Sequence, residues 1–173
     1  MEQIKAYLGQ IATISNKDWG FFTSKLQRRV IPKKVVFLKL HDIENHISFI
    51  ESGVVRLFIP KENPEKEIPF GFSFKDQFVS AYDSFLTQQP SAYQLQALTE
   101  TTLLSITYED LQDVYKNTQI GNLIGRLTAE RLFLLKSKRE QNLLNLTAEE
   151  RYMKLFKERP ELLMVIPLKY ISS

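Results

Sequence analysis

The sequence has 173 residues, of which 43% are hydrophobic and 25% charged, with a formal net charge of +3. That length allows one well-buried domain with an additional segment, or two small domains. The absence of cysteine excludes disulfides, thiolate metal sites, cysteine-ligated iron–sulfur clusters and a cysteine nucleophile. No apolar run reaches the roughly 20 residues that span a bilayer, and the N-terminus lacks the features of a signal peptide, so we expect a cytoplasmic protein.

Positive charge is concentrated in the C-terminal third of the chain. From Arg126 onwards there are ten basic and six acidic side chains, whereas residues 1–125 contain 13 basic and 14 acidic ones. Clustered Lys and Arg suit a nucleic acid, because they neutralise phosphates and release counterions. A solvated helix face rich in Lys and Glu explains the same distribution.

The first thirty residues predict two short helices. Four apolar residues recur on one helical face: Ile4, Leu8, Ile11 and Ile14. Ser15 and Asp18 have the spacing of a capping box, so a second helix is expected to follow them. Pro32 is predicted to end this helical region.

From Val35 to about Ile106 the pattern changes to short segments rich in β-branched and aromatic residues, separated by turn signals. The segments are VVFLKL, HISFIES, VVRLFIP, EIPFGFSF, FVSAY, YQLQAL and TLLSITY. Strands at a spacing of roughly 8 to 12 residues predict an antiparallel barrel or jelly roll. Gly53 is the predicted positive-φ turn residue between two of these strands.

After Thr107 the sequence becomes helical again. YEDLQDVYKN predicts a short helix, and apolar residues then recur along the following segment. Ile120, Leu127 and Leu134 are seven residues apart, which suits a helix that pairs with a copy of itself, although such a stripe could also lie on the barrel. We predict a homodimer whose interface consists of Ile120, Leu123, Ile124, Leu127 and Leu134.

A further helix is predicted to begin in LTAEE, with Thr147 as its cap and two glutamates in its first turn. This helix is expected to stop at Pro160. Pro167 is placed to start another helix, which has only about six residues before the sequence ends, too few for a finished element.

Three stretches are informative in combination: HISFIESGVVRLF, FVSAYDSFLTQQPS and TAEERYMKLFKERPELLMVIPLKYISS. In this order they resemble the signature strand pair, the pocket segment and the entry into the winged helix-turn-helix of the CRP/FNR family of bacterial transcription regulators, particularly its Bacteroidetes-type branch. The resemblance implies an α+β fold: an antiparallel β-roll of the jelly-roll type with N-terminal helices. It also implies a sensor domain of the cyclic nucleotide-binding type (1–117), a long dimerisation helix (118–145) and an incomplete DNA-binding domain (146–173).

The family implies a function: to sense an effector in the β-roll, transmit the signal through paired helices, and bind palindromic DNA. In relatives the turn and the recognition helix follow the helix that matches PLKYI. Both are absent from this chain, so as given it is not expected to read DNA bases. The sequence alone does not decide between a shortened gene product and a trimmed one.

Cyclic nucleotide binders of this fold hold the phosphate with a helix N-terminus and backbone amides, use a Gly-Glu pair for the ribose, and supply an arginine as counter-charge. Alignment on Phe78 puts Ser80 at the glycine and Ala81 at the glutamate. Pro90 falls at the arginine, while Ser91 and Ala92 match the family motif. We therefore predict that cAMP and cGMP do not bind, that no cofactor is present, and that any small-molecule effector is unknown.

One cation could substitute for the missing arginine. Alternation puts Arg56 on one face with Val54 and Phe58, which could be the barrel interior, where a ligand anion would pair with it. The alternative is that Arg56 is exposed or pairs with Glu51 or Asp83. The predicted effector pocket thus consists of Ser80, Ala81, Tyr82, Pro90, Ser91, Ala92 and Arg56.

Two other classes of protein remain open. A cupin-like β-roll, which could be an enzyme, would need a metal, but the chain has only two histidines, with His41 expected in a turn and His46 at a strand start. We predict no metal site and no catalytic constellation, and hence a protein that is not an enzyme. The other class is a shortened interaction protein that forms heterodimers with full-length relatives.

Overall fold

The computed structural model describes residues 1–63, 66–119 and 121–158. The chain divides into two compact units, Met1–Ile124 and a second unit from Gly125 onwards. The helices are α1 (Glu2–Gly9), α2 (Asn16–Ser24), α3 (Tyr82–Thr87), α4 (Tyr108–Asn117), α5 (Gly121–Asn145) and α6 (Ala148–Glu158). The strands are β1 (Gln27–Ile31), β2 (Val36–Leu38), β3 (His46–Ser52), β4 (Val54–Ile59), β5 (Ile68–Phe74), β6 (Phe78–Val79), β7 (Gln94–Ala97) and β8 (Thr101–Thr107).

The first unit is a β-roll of two antiparallel four-stranded sheets, with strand orders β1-β8-β3-β6 and β2-β7-β4-β5. Its main core draws residues from both sheets, which places it between them. The buried members are Ile31, Leu38, Ile50, Val55, Val79, Ala81, Leu95, Ala97 and Leu103. The predicted α+β fold with a jelly-roll-like β-roll is confirmed, and so is each of the seven predicted strands.

The helices α1 and α2 cover the other face of the first sheet. Ile4 and Leu8 pack there against Phe49 and Leu104, whose strand neighbours Ile50 and Leu103 belong to the core between the sheets. This is the opposite-face alternation of a strand buried on both sides. Ser15 caps α2 as predicted, because its side chain accepts a hydrogen bond from the Asp18 N–H at 3.1 Å.

The end of the second helix was predicted wrongly. The helix ends at Ser24, and Gln27–Ile31 instead forms β1, an edge strand paired with Thr101–Ser105 of β8. Tertiary pairing overrides the helical pattern here, since Ile31 turns into the core while Val30 remains exposed.

Gly53 has the predicted positive φ, +98°, in the turn between β3 and β4. A Cβ atom at this position would lie 2.4 Å from the Thr101 Oγ1 atom and 2.7 Å from the Glu100 carbonyl oxygen. Both the conformation and the close approach therefore require glycine.

In the second unit, α6 begins with a reciprocal capping box. The Thr147 side chain accepts a hydrogen bond from the Glu150 N–H at 3.2 Å, and the Glu150 carboxylate accepts one from the Thr147 N–H at 2.7 Å. The predicted cap is thus confirmed. The predicted stop at Pro160 and the further helix at Pro167 lie outside the described residues, as does most of the proposed winged-helix segment.

Candidate effector site

The segment that resembles the family's pocket motif folds as a strand, a short helix and a return loop. We call residues 80–93 the α3 segment. Ala81 precedes α3 as its N-cap, and Gln88 ends it in the left-handed conformation with φ +54°. Pro90 then forms an isolated antiparallel bridge with Ile43. The structure thus brings six of the seven predicted pocket residues into one continuous segment: Ser80, Ala81, Tyr82, Pro90, Ser91 and Ala92.

The serines of this segment already have protein partners. The Ser80 hydroxyl donates to the His46 carbonyl oxygen at 2.8 Å, and the Ser91 hydroxyl donates to the Tyr93 carbonyl oxygen at 2.8 Å. The Ser91 N–H donates to the Asp42 carbonyl oxygen at 2.9 Å. Because Ser80 and Ser91 are both buried, these donors are committed to the fold.

Two tyrosines of the α3 segment differ in their partners. The Tyr93 hydroxyl donates to the Asp83 carboxylate at 2.7 Å, and its ring meets Phe70 edge to face at 4.9 Å. Burial, together with the bond to Asp83, holds the pKa of Tyr93 far above its usual value. The Tyr82 hydroxyl is buried without a hydrogen-bond partner among the described residues, and burial raises its pKa as well.

Glu44 lies beneath the start of α3 and was not predicted as a site residue. It is 6% exposed, and its carboxylate accepts a hydrogen bond from the His46 N–H at 2.9 Å. Burial raises the pKa of Glu44 above its usual range, and hydrogen bonds from the amides of His46, Ala81 and Asn45 oppose that rise only in part. Sequence reasoning missed Glu44 because it occupies a polar stretch, HDIEN, that is typical of an exposed turn.

Arg56 lies apart from the other predicted pocket residues. Its strand neighbours Val55 and Leu57 belong to or pack on the core between the sheets, so Arg56 faces the other side of its sheet. There it is 3% exposed, and its guanidinium donates to the Glu67 carboxylate at 2.8 Å and the Gln96 side-chain oxygen at 2.6 Å. It also lies over the Phe58 ring, at 3.8 Å.

The partners predicted for Arg56 were therefore wrong. Glu51 binds Arg28 and the N-terminal ammonium group, at 3.1 and 2.9 Å, and Asp83 accepts from Tyr93. Arg56 does not point into the roll either, because its neighbours Val55 and Leu57 form the interior face of β4.

The histidines stand where they were expected. His41 occupies a turn with φ +70°, and His46 begins β3. Burial, followed by repulsion from Arg29, lowers the pKa of His46. Over residues 1–63, 66–119 and 121–158, no group of three or more metal-ligating side chains occurs.

The predicted interface residues have different surroundings. Leu123 is exposed, and Ile124 packs on the cluster under α1 and α2. In the second unit Leu127 is half-buried and Leu134 is 67% exposed. Ile120 lies outside the described residues. Further apolar side chains on α5 are exposed: Phe133, Leu135, Leu143 and Leu144. Their assignment to an interface stays a prediction.

The described part of the chain contains no helix that could cross a membrane. The family model of the cyclic nucleotide-binding domain matches residues 28–118, which comprise most of the β-roll and the α3 segment. The chain belongs to the cyclic nucleotide-binding domain family. A search of curated proteins found no matching sequence.

Solved structures show the same fold at low sequence identity. A cyclic nucleotide-binding domain from Methylobacillus flagellatus KT is 18% identical, with a TM-score of 0.71, over 84% of this chain and 83% of that one. The Thermus thermophilus catabolite activator protein is 21% identical, with a TM-score of 0.62, over 80% of this chain and 62% of that one. The c-di-GMP responsive global regulator CLP from Xanthomonas campestris is 20% identical, with a TM-score of 0.62, over 85% and 74%. The chain thus spans about 62% of the length of the Thermus protein.

Proposed function

We propose that this chain is the effector-sensing and dimerisation part of a CRP/FNR-type transcription regulator, that it is not an enzyme, and that neither cAMP nor cGMP is its effector. Membership of the cyclic nucleotide-binding domain family supports the sensing role. The likeness in fold to a catabolite activator protein and to a global regulator supports the choice of a transcription regulator within that family.

The proposal that cAMP and cGMP are not effectors rests on one observation: hydrogen-bond donors of the α3 segment already bind backbone oxygens. A cyclic nucleotide phosphate needs free N–H and hydroxyl donors and a counter-charge. Here the Ser91 N–H and hydroxyl both bind backbone oxygens, at 2.9 and 2.8 Å. Pro90 offers neither a charge nor an amide hydrogen, and Ala81 has no group that accepts a ribose hydroxyl. An anion would also meet Asp83 in the first turn of α3.

Isothermal titration calorimetry of the purified protein with cAMP and with cGMP tests this reading. We expect no binding heat at nucleotide concentrations up to about a millimolar, which corresponds to less than about 4 kcal/mol of binding free energy. The matched variant is Ser91→Ala, which removes the one hydroxyl at a position that fits the family motif. Micromolar binding by the wild type that weakens in Ser91→Ala would show that the proposal for the effector is wrong.

The dimer is the second part of the proposal, and it is supported by the exposure of apolar side chains on α5. Leu134 and Leu144 are 67% and 81% exposed, which is unfavourable for helix residues in water unless another surface covers them. Light scattering of Leu127→Glu and Leu134→Glu tests the predicted stripe, and we expect monomers. Ala129→Glu is the matched control, because residue 129 lies on the opposite side of α5 from residue 127. A dimer mass retained in both leucine variants would contradict this interface.

A further inference from the structure

Glu44 has an unusual set of contacts for a buried acid. The described part of the chain places no lysine or arginine within salt-bridge distance of its carboxylate, whose close partners are backbone N–H groups. A charge that is buried without a counter-ion is unfavourable, because donor hydrogens replace only part of its hydration. The neutral Glu44 carboxyl group is therefore compatible with burial, whereas the ionised carboxylate favours a local structure in which water reaches it.

Within the part of the chain that the structure describes, the groups that face this carboxylate come from four parts of the roll. Arg29 on β1 attracts it, and the His46 Nδ1 atom on β3 lies 4.0 Å from its Oε1 atom. The hydroxyls of Tyr82 on α3 and of Tyr93 before β7 lie near enough for its negative charge to add to the rise that burial causes in the pKa of each. Among the described residues, Arg29 attracts the carboxylate only from beyond hydrogen-bond range, so the ionised form regains little of the solvation that it loses on burial.

The backbone of Glu44 is tied to the α3 segment on both sides. Its N–H donates to the Ser84 hydroxyl oxygen at 3.0 Å, and its carbonyl oxygen accepts from the Gln88 side chain at 3.4 Å. The Ala81 N–H, at the N-cap of α3, is also near enough to favour the ionised carboxylate, and α3 has no side-chain cap of its own. Movement of α3 away from β3 would break these contacts and admit water to the carboxylate.

We propose that Glu44 is a charge-operated latch on α3: the neutral carboxyl keeps the α3 segment closed against β3, and the ionised carboxylate favours its opening to water. The two states differ in the solvation of one carboxyl group. A proton is one way to neutralise it, and a positively charged or hydrogen-bond-donating effector that reached Glu44 would act in the same direction. The latch concerns the segment assigned above to effector sensing, but it is independent of which effector binds.

The sign of the effect follows from burial. In the closed state burial raises the pKa of Glu44, whereas in an open state the group would titrate near its ordinary value. Rising pH therefore favours opening, by up to about tenfold per pH unit between the two pKa values, and the effect levels off above the closed-state pKa. His46 has a lowered pKa in the closed state, so its protonation at acid pH opposes closure. The two groups act in opposite directions and need separate variants.

Hydrogen exchange of the α3 amides measures the opening directly. The Phe85 N–H bonds to the Ala81 carbonyl oxygen and the Gln88 N–H to that of Ser84, each at 2.8 Å, so both amides report closure. After correction for the intrinsic pH dependence of exchange, we expect their opening constant to rise with pH in the wild type. In Glu44→Gln, which keeps an acceptor and lacks the charge, the opening constant should be low and should not rise with pH, while the effect of His46 at acid pH remains. Amides of β8 serve as the internal reference and should not follow the titration.

Two controls isolate the carboxyl group. Glu51→Gln changes a glutamate at the other end of β3 that is already paired with Arg28, and it should keep the wild-type response. His46→Gln should also keep the rise with pH and lose the opposing effect at acid pH. A flat wild-type profile, or a Glu44→Gln profile that still rises, would overturn the latch.

If Glu44→Gln did not fold, a measurement on the wild-type protein alone would still test the latch. The carboxyl carbon of Glu44 can be titrated by NMR in the labelled wild-type protein, and we expect a midpoint above that of an exposed glutamate. An ordinary midpoint would overturn the latch even if no variant folded. Neither experiment contains a nucleotide, so failure of the latch leaves the proposed regulator function standing, and nucleotide binding would leave the latch standing.

Discussion

Two buried charges in the β-roll have different surroundings. Arg56, on the outer face of β4, has a carboxylate from Glu67, an amide oxygen from Gln96 and the ring of Phe58 around its guanidinium. Glu44, beneath α3, has N–H groups within hydrogen-bond reach and the opposite charge of Arg29 only at longer range. Their exposures are similar, at 3% and 6%.

The difference shows which buried charge is structural. A paired charge is held in one state, because separating it from its partner leaves an uncompensated ion. A charge without a close counter-ion responds to protons and to ligands, and perturbed acids of this kind occur often at functional sites. We infer from this comparison that Arg56 stabilises the fold, and we propose that Glu44 controls the opening of the α3 segment.

The largest effect is expected from breaking the Arg56 pair. Glu67→Ala removes the carboxylate that lies 2.8 Å from a guanidinium that is only 4% exposed, and we expect a loss of about 3 kcal/mol in the free energy of unfolding. Urea denaturation measures it. Glu62→Ala, an exposed residue of the same loop, is the matched control and should change stability by less than about 0.5 kcal/mol. A loss below about 1 kcal/mol for Glu67→Ala would show that the Arg56–Glu67 pair contributes little to stability. Arg56 and Glu44 would then not differ in the way proposed.

A smaller effect is expected at Glu44, and its sign depends on the substitution. Glu44→Ala removes the acceptor of the His46 and Ala81 amides, and we expect it to destabilise the fold by about 1–3 kcal/mol. Glu44→Gln keeps an acceptor and removes the buried charge, so at neutral pH it should be at least as stable as the wild type.

The pH dependence checks the same residue. An acid whose folded-state pKa is raised contributes stability that is fully present below its unfolded-state pKa and is lost as pH rises through its folded-state pKa. The wild type should therefore lose stability relative to Glu44→Gln as pH rises through that window. Thermal unfolding of both proteins from pH 4 to pH 8 measures the difference, and parallel curves would contradict it.

The sequence was sufficient to predict what depends on local pattern. Alternation and turn residues located the strands of the roll, YEDLQDVYKN located α4, and the spacing of Glu51 and Val54 around Gly53 located a positive-φ turn. Each of these features is specified within about ten residues. β1 was missed because its strand character comes from pairing with β8, more than seventy residues later.

The contacts of the two buried charges could not be predicted in this way. Alternation correctly put Arg56 and Phe58 on one face, but it does not show which face is the interior, so the sequence left open whether Arg56 lies inside the roll. Glu44 was missed because its burial depends on Ser84 and the α3 segment, forty residues away. The sequence placed six of the seven predicted pocket residues in one segment, whereas the internal partners of Ser80 and Ser91 became visible only in three dimensions.

The smallest effect is expected at two tyrosine hydroxyls of the α3 segment. Among the described residues, one has a hydrogen-bond partner and the other has none. Tyr93→Phe removes the 2.7 Å bond to Asp83 and should destabilise the fold by about 0.5–1 kcal/mol, since the site is partly exposed. Tyr82→Phe removes a buried hydroxyl that has no partner in the described part of the chain, so the change should be neutral or slightly stabilising. Chemical denaturation of both variants gives the difference. If Tyr82→Phe proved the more destabilising, the Tyr82 hydroxyl would have a hydrogen-bond partner in solution. Glu44 would be the first candidate, because its charge contributes to the raised pKa of Tyr82. A double-mutant cycle between the two residues would test it.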